Sequence, residues 1–402
     1  MFEFSSITHE IRHSLRTVLL SGVPGLFLLC EYAFVPLVPA TPETDEQPVL
    51  NVSADTISPS SPPGIPGIPT IPRAGNYNVY YGDLHNHTAI SDGSGTPAEA
   101  FTYARNISGL DFFGISDHCW SFTAETWRTV QAAADSCNED SSFVTFGGFE
   151  WTSMYFGHVT VVGSDDWCTA MDTATDTFSE LCEWLAPRNA LAFFNHPGRS
   201  GSFDEFDRFE GPVSDRFVGM ELFNKSAGFH IFYYNDGFDP RDNNKGYYDE
   251  ALSRGWHIGA AGGGDNHSAS WGSYTGYRIA VLAPACTRKE ISAAFMARRT
   301  YSTLDKNILL SFSADGNEMG STVRGTRHTF TISAADMDGE RFSEVVLYNG
   351  DHDIVATWRP SPGIFETACP VTVTDDDYFY VKVSQYDTDE AVSAPIWVVA
   401  SE

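Results

Sequence analysis

Tyr81 to Asp92 reads YGDLHNHTAISD, which sets His85 and His87 one residue apart behind a strand-like start, in a chain of 402 residues with only 12 histidines. Along a strand, residues i and i+2 share a face, so the two imidazoles converge while Asn86 points away; a helix would need a spacing of four. Converging imidazoles suit metal ligation or proton transfer. Other apolar runs end in side chains of the same kind. LDFFGISDH ends in Asp117 and His118, FVTFGGFEW reaches Glu150, LAFFNHPG reaches His196, and WHIGAAGGGDNH ends in Asp265 and His267. GHVTVVG differs, because His158 opens its run. Any one of these residues alone reads as an ordinary core or surface group. Their repetition at strand ends is the signal. Imidazole and carboxylate suit Zn, Mn or Fe, and a carboxylate can bridge two ions. Without metal, gathering so many ionisable groups would carry a large desolvation and repulsion cost.

These side chains need a scaffold whose strand ends meet. From Asn78 to Thr303 strand-like runs alternate with helical patterns, which predicts an α/β unit with a largely parallel sheet. In barrels of this type the carboxyl ends of the strands carry the active site. TPAEAFTYARN has Thr96 as N-cap, Pro97 at the first helical position, Glu99 placed for a capping box and Gly109 beyond as a stop. TRKEISAAFMARR repeats the device with Thr287 and Glu290. After Leu304 the pattern becomes alternating apolar and polar residues broken by Gly, Asp and Asn, which predicts a small antiparallel β-sandwich over 304–402.

Residues 1–40 differ in character. Arg12, His13 and Arg16 precede the apolar stretch TVLLSGVPGLFLLCEYAFVPLVPA, which ends in a small-residue pattern and reads as a secretory signal; a retained membrane anchor is the alternative. Residues 41–77 are rich in Pro, Ser and Thr and read as a linker. Export would make the six cysteines beyond Cys30 a disulfide set. Closeness in sequence pairs Cys119 with Cys137 and Cys168 with Cys182, leaving Cys286 for Cys369. The formal charge of −29, with no Lys/Arg-rich run, argues against a nucleic-acid surface.

The set DLHNHTAISDG, GISDH, GFEW, GHVTVVG, NHPGR and GGGDNH, in that order, resembles the polymerase and histidinol phosphatase (PHP) superfamily of metal-dependent phosphoesterases. Its course followed by a β domain is most similar to the branch with secreted metallohydrolases and a carbaryl hydrolase. The resemblance implies a distorted (β/α)7 barrel over 78–303 holding two to three divalent transition metals, Zn, Mn or Fe. His85, His87, Glu150 and Asp265 would hold one ion, with Glu150 bridging to a second held by His158 and His196. Asp92, His118 and His267 would hold the third, where Asp92 replaces a histidine of some relatives and favours a harder ion.

The function expected from these residues is an exported phosphoester hydrolase in which a hydroxide bridging two ions attacks phosphorus. Glu150 and Asp265 serve the catalytic ions, and Asp117 supports His118 or shuttles a proton. Arg199 and, more weakly, Lys225 are placed to contact phosphate, a surface arginine being the alternative; His257 and His230 read first as core or surface residues, with substrate contact or a role as acid as the alternative. Trp120, Trp151, Tyr155, Phe156, Tyr233 and Tyr234 either line a cleft or pack. Two alternatives stand beside this reading: hydrolysis of a carbamate or carboxylic ester at the same site, and a non-catalytic surface binding protein. The expected partner is a small phosphorylated or other ester, with membrane contact only through an N-terminal anchor.

Overall fold

The computed structural model describes residues 73–199, 201, 203–207, 215–226, 231–233, 246–360 and 363–401. The N-terminal apolar segment, most of the Pro-rich stretch, His230 and Tyr234 lie outside the described residues. Among the described residues no helix is long and apolar enough to cross a membrane.

The α/β part is built on one curling sheet. Tyr77–Asp83, Phe112–Ile115 and Val144–Ser153 run parallel in succession. Val144–Ser153 then turns back on Gly157–Val162, which pairs antiparallel with Leu191–Asn195. Leu191–Asn195 lies parallel to Phe217–Ser226, and that strand parallel to Gly259–Gly263. The order mixes parallel and antiparallel neighbours, so the sheet is a curled half-barrel; Gly157–Val162 runs against its neighbours and so departs from a uniform (β/α) repeat. Register puts a large share of these strands out of water on both faces, as their apolar composition demands. At the mouth the first and last strands of this course meet through a parallel bridge between Asn86 and Asn266, with His87 N–H donating to the Asn266 carbonyl at 2.9 Å.

Helices cover the outside where their caps predict them. Thr96 accepts from the Glu99 amide and Glu99 answers on the Thr96 amide, so Pro97–Asn106 begins where the box dictates, and Gly109 follows at φ 64°. Thr287 caps Arg288–Met296 by accepting from the Glu290 amide at 3.2 Å, the half of the expected box that forms. Ala124–Cys137 buries Trp127, Val130, Ala133 and Ala134 at a spacing of three and four.

The C-terminal strands form two facing sheets. Arg327–Asp336 lies between Ile308–Ala314 and Ile364–Thr372, all antiparallel. The facing sheet joins Phe342–Tyr348, Asp377–Gln385 and Glu390–Ser393. Phe330 meets Phe379 between the two sheets with ring centroids 4.7 Å apart. Glu390–Ser393 also pairs antiparallel with Thr300–Thr303, which pairs with Arg278–Ala283 of the α/β sheet. Backbone hydrogen bonding therefore runs unbroken past position 303. Tyr378, Tyr380, Val392 and Trp397 pack in the same core cluster as Phe194 and Phe217 of the α/β part.

The expected disulfides are not formed: Cys119, Cys137, Cys168, Cys182, Cys286 and Cys369 are all free thiols. The reason is placement. Cys119 belongs to the large core while Cys137 packs against a separate one, and Cys286 and Cys369 are likewise divided between two cores. Between Cys119 and Cys137 the helix Ala124–Cys137 carries the chain away, whereas Cys168 and Cys182 share the large core and are still unbonded. Without disulfides the expectation of export rests on the N-terminal segment alone.

Asp111 shows what half-burial does to a carboxyl at a strand entrance. Burial pushes it up to about 6, against the pull of the Tyr81 amide that donates to Oδ2 at 2.8 Å. A raised carboxyl contributes stability that is full below its unfolded value near 4 and is lost as pH rises through about 6. Asp111→Asn keeps the acceptor and removes that loss. Thermal unfolding should therefore show the variant more stable than the parent at pH 7.5 by on the order of 2 kcal/mol, and equal to it at pH 4.

Candidate metal centre

Nine side chains converge at the strand ends. Glu150 sits at the centre, fully buried in Val144–Ser153, with Oε1 3.0 Å from His85 Nε2, 3.2 Å from His158 Nδ1 and 3.5 Å from His196 Nε2. Its Oε2 lies 2.7 Å from His118 Nδ1 and 3.8 Å from His87 Nε2. Asp265 Oδ1 is 3.2 Å from His87 Nε2 and 3.4 Å from His85 Nε2. Asp92 Oδ1 lies 3.4 Å from His267 Nε2 and 3.6 Å from His118 Nε2.

Four overlapping groups have donor atoms within 4.8 Å of one another: His85, His87 and Glu150; His85, His196 and Asp265; Glu150, His158 and His196; and His87, Asp92, His118 and His267. His87 thus faces the Asp92 group as well as Glu150. The antiparallel turn at Gly157 makes this possible, because Thr152 pairs with His158 and His158 with Asn195, bringing His158 beside Glu150 and His196 from the amino end of its strand.

Several residues hold the imidazoles rather than join them. Glu221 was missed by the sequence reading; it is buried, with Oε1 2.8 Å from His85 Nδ1 and Oε2 accepting from the His196 and Asn224 amides at 2.8 and 2.9 Å. A carboxylate on Nδ1 fixes the ring's orientation and aims Nε2 at Glu150 and Asp265, where its lone pair would be free for an ion once the proton leaves. The Asp265 carbonyl does the same for His267 through Nδ1 at 2.9 Å. Asp83 accepts from the amides of His85 and Gly264, both at 3.0 Å, and so ties the first strand to the last. Asn195 donates to Glu150 Oε1 at 2.8 Å. The glycine run earns its place here: a Cβ on Gly264 would stand 2.7 Å from Asp83 Oδ2, and one on Gly263 would strike the Glu221 carboxylate.

Asp117 touches no other member of the cluster through its carboxylate. It accepts from Thr88 and Ser91, from Thr88 N at 2.7 Å and from Ser91 Oγ at 2.6 Å, and pins the loop that delivers Asp92. Arg199 Nη1 donates to Asp265 Oδ2 at 2.6 Å, so the guanidinium stands at the edge of the cluster. Lys225 lies in the strand Phe217–Ser226, opposite Phe232 in register. His257 is not brought to the cluster. It precedes Gly259–Gly263, at the end of the strand opposite Asp265 and His267, and stacks on Trp397 with centroids 4.2 Å apart. Trp151 is core, donating to the Thr175 carbonyl, whereas Trp120 is half exposed and stacks over His118 at 5.4 Å.

Charge in the cluster is shared unequally. Burial acts to raise Glu150, yet His158, His85 and His118 overcome it and hold the carboxyl well below its ordinary range. Asp265 is depressed likewise, burial being outweighed by His85 and His87. Burial opposes the charged form of His85, but Glu221, Asp265 and Glu150 drive it well above the imidazole range. Burial, then the neighbouring His118, pushes His87 down to about 3, and burial lowers His196. His196 Nδ1 is buried and makes no hydrogen bond, and His87 Nε2 is buried against the Asp265 and Glu150 carboxylates. Buried nitrogen without a partner costs free energy, and a neutral imidazole lone pair beside anionic carboxylates is what a divalent cation satisfies. The donor set therefore fits metal.

No family model matches the sequence. An uncharacterized protein of Chlamydia pneumoniae is 21% identical over 363 residues, covering 80% of this chain; the chain spans 57% of that relative's length. A two-domain protein of Bacteroides vulgatus, described as containing a predicted PHP-like metal-dependent phosphoesterase, aligns over 81% of this chain and 97% of its own, at 14% identity and a TM-score of 0.45. Fibronectin(III)-like modules of Clostridium thermocellum align over 23% of this chain at 18% identity, with a TM-score of 0.17.

Two substitutions separate ligand from support. Glu150→Gln should lose bound metal while retaining the fold, as read by elemental analysis and circular dichroism. Glu221→Gln should keep every ligand yet weaken metal affinity about 10–100-fold, measured by chelator competition.

Proposed function

We propose that the protein is a metal-dependent hydrolase of phosphoesters that takes two to three divalent transition metal ions, Zn, Mn or Fe, at the histidine and carboxylate cluster. The observation that carries this is the sharing of donors. Glu150 belongs to two of the donor groups and His85 and His87 each to two, which suits ions set side by side rather than one isolated ion. His85, His87, Glu150 and Asp265 would hold one ion, Glu150, His158 and His196 a second, and Asp92, His118 and His267 a third. When bound, such ions supply Lewis acidity and make coordinated water available as a nucleophile near neutral pH.

The chain's own residues supply position and charge. Glu221 and Asp83 keep His85 and the Gly264 turn in place, and Asp117 holds the loop that presents Asp92. Arg199 stands where a substrate phosphate could draw its guanidinium from Asp265 into a bidentate contact. The motifs in family order support the PHP superfamily, and the course GFEWTS to GDNH followed by a β domain supports the branch of secreted metallohydrolases; the N-terminal apolar segment supports export.

A second reading, hydrolysis of an aryl carbamate or carboxylic ester at the same cluster, draws support from Trp120. Its half-exposed indole over His118 is an apolar wall beside the donor group, suited to an aromatic leaving group. The decisive measurement compares turnover of an aryl phosphate and an aryl carbamate by protein loaded with Zn or Mn. Faster phosphate turnover that disappears with chelator and returns with metal is expected. Faster carbamate turnover selects the second reading, and full loading with neither activity overturns both.

A further inference from the structure

We propose that the C-terminal region carries a separate site for a hard divalent cation of the calcium class, formed by Asp305, Asp336 and Glu340 with the amide oxygens of Asn307 and Gln385. Donor oxygens of the three acids lie within 4.8 Å of one another, far in sequence from the histidine cluster. They come from two loops that meet at one end of the sandwich, the turn after Thr300–Thr303 and the connection between Arg327–Asp336 and Phe342–Tyr348.

A group of acids on a surface needs no ion, since water solvates it. Two further observations distinguish this one. Gln385 is 3% exposed and places its amide against the cluster, Nε2 donating to Asp336 Oδ2 at 2.8 Å, while its Oε1 is buried and accepts no hydrogen bond. Asn307, whose amide reaches Asp338, has a buried Oδ1 in the same condition. A buried amide oxygen without a donor costs about 1–3 kcal/mol, and a cation ligated by it removes that cost. Asp338, Asp387 and Asp389 stand near enough to repel the cluster, and among the described residues none of the six acids is salt-bridged to a lysine or arginine.

Donor chemistry selects the ion. Every candidate ligand is oxygen, from carboxylates and amides, with no imidazole or thiolate, which disfavours Zn and suits a hard cation. Ligands on separate loops give an irregular cage that calcium accepts more readily than magnesium, which demands near-octahedral geometry. Asp336 Oδ1 already accepts the amides of Asp338, Gly339 and Glu340, so the loop holding Glu340 is set before any ion arrives, while Oδ2 accepts from Gln385. A bound cation would staple the turn after Thr300–Thr303 to the sandwich loop. The inference does not depend on the hydrolase reading.

The test uses the full chain with its histidine cluster loaded with zinc beforehand. Equilibrium dialysis against radiolabelled calcium should find about one further equivalent, and saturating calcium should raise the melting temperature by roughly 3 °C. Asp305→Asn and, separately, Glu340→Gln should remove both effects while leaving bound zinc unchanged; both positions lie on loops and spare Asp336, which shapes its own. No uptake beyond the zinc, uptake undiminished in both variants, or an equal temperature rise from sodium chloride at matched ionic strength would overturn the site.

Discussion

One fully buried carboxylate governs the α/β part of this molecule. Glu150 has left water entirely, a loss that no neutral environment could offset, and five imidazoles stand within 2.7 to 3.8 Å of its two oxygens. The elements around it are disposed so that those imidazoles arrive. The parallel strands bring His85, His87 and His118 from one side, and the reversed strand Gly157–Val162 brings His158 from the other. Each imidazole that approaches lets the carboxylate stay ionised, and the carboxylate in turn keeps several positive or polar rings from repelling one another.

How much of this was legible in the sequence differs by residue. The positions that converge were readable because strand alternation and strand-end placement are local properties, and His85, His87, Glu150, Asp265 and His267 each sit at the end of an apolar run. Glu221 was not. It lies inside FVGMELFNKS, where an acid between apolar neighbours looks like the polar half of an alternating strand, and its partner His85 stands 136 residues away. Asp83 and Asn195 were overlooked for the same reason, since what they do is fixed by which strand lies next to theirs. His257 stayed open between a core place and a substrate contact, because a histidine beside a strand carries no mark of which end of the strand it lies at.

Helix starts were the most legible part of the fold, because an N-cap and the amide it accepts from lie within four residues. The change to antiparallel strands after Leu304 was visible as a change of periodicity. What the periodicity could not carry is that Thr300–Thr303 pairs with Glu390–Ser393, a contact across some 90 residues that makes the two sheets one hydrogen-bonded surface. The cysteine reading failed on the same ground: it took distance along the chain for distance in space.

His196 and Asp265 adopt backbone angles of φ 26° and 43°, in the left-handed region that most side chains avoid. Only glycine, asparagine, aspartate and, less often, histidine enter it without a cost of roughly 1–2 kcal/mol. The main chain therefore restricts the alphabet at these two positions before chemistry is considered. Every permitted letter except glycine can still offer a lone pair to the cluster, so drift at these sites tends to exchange one donor for another rather than extinguish the site.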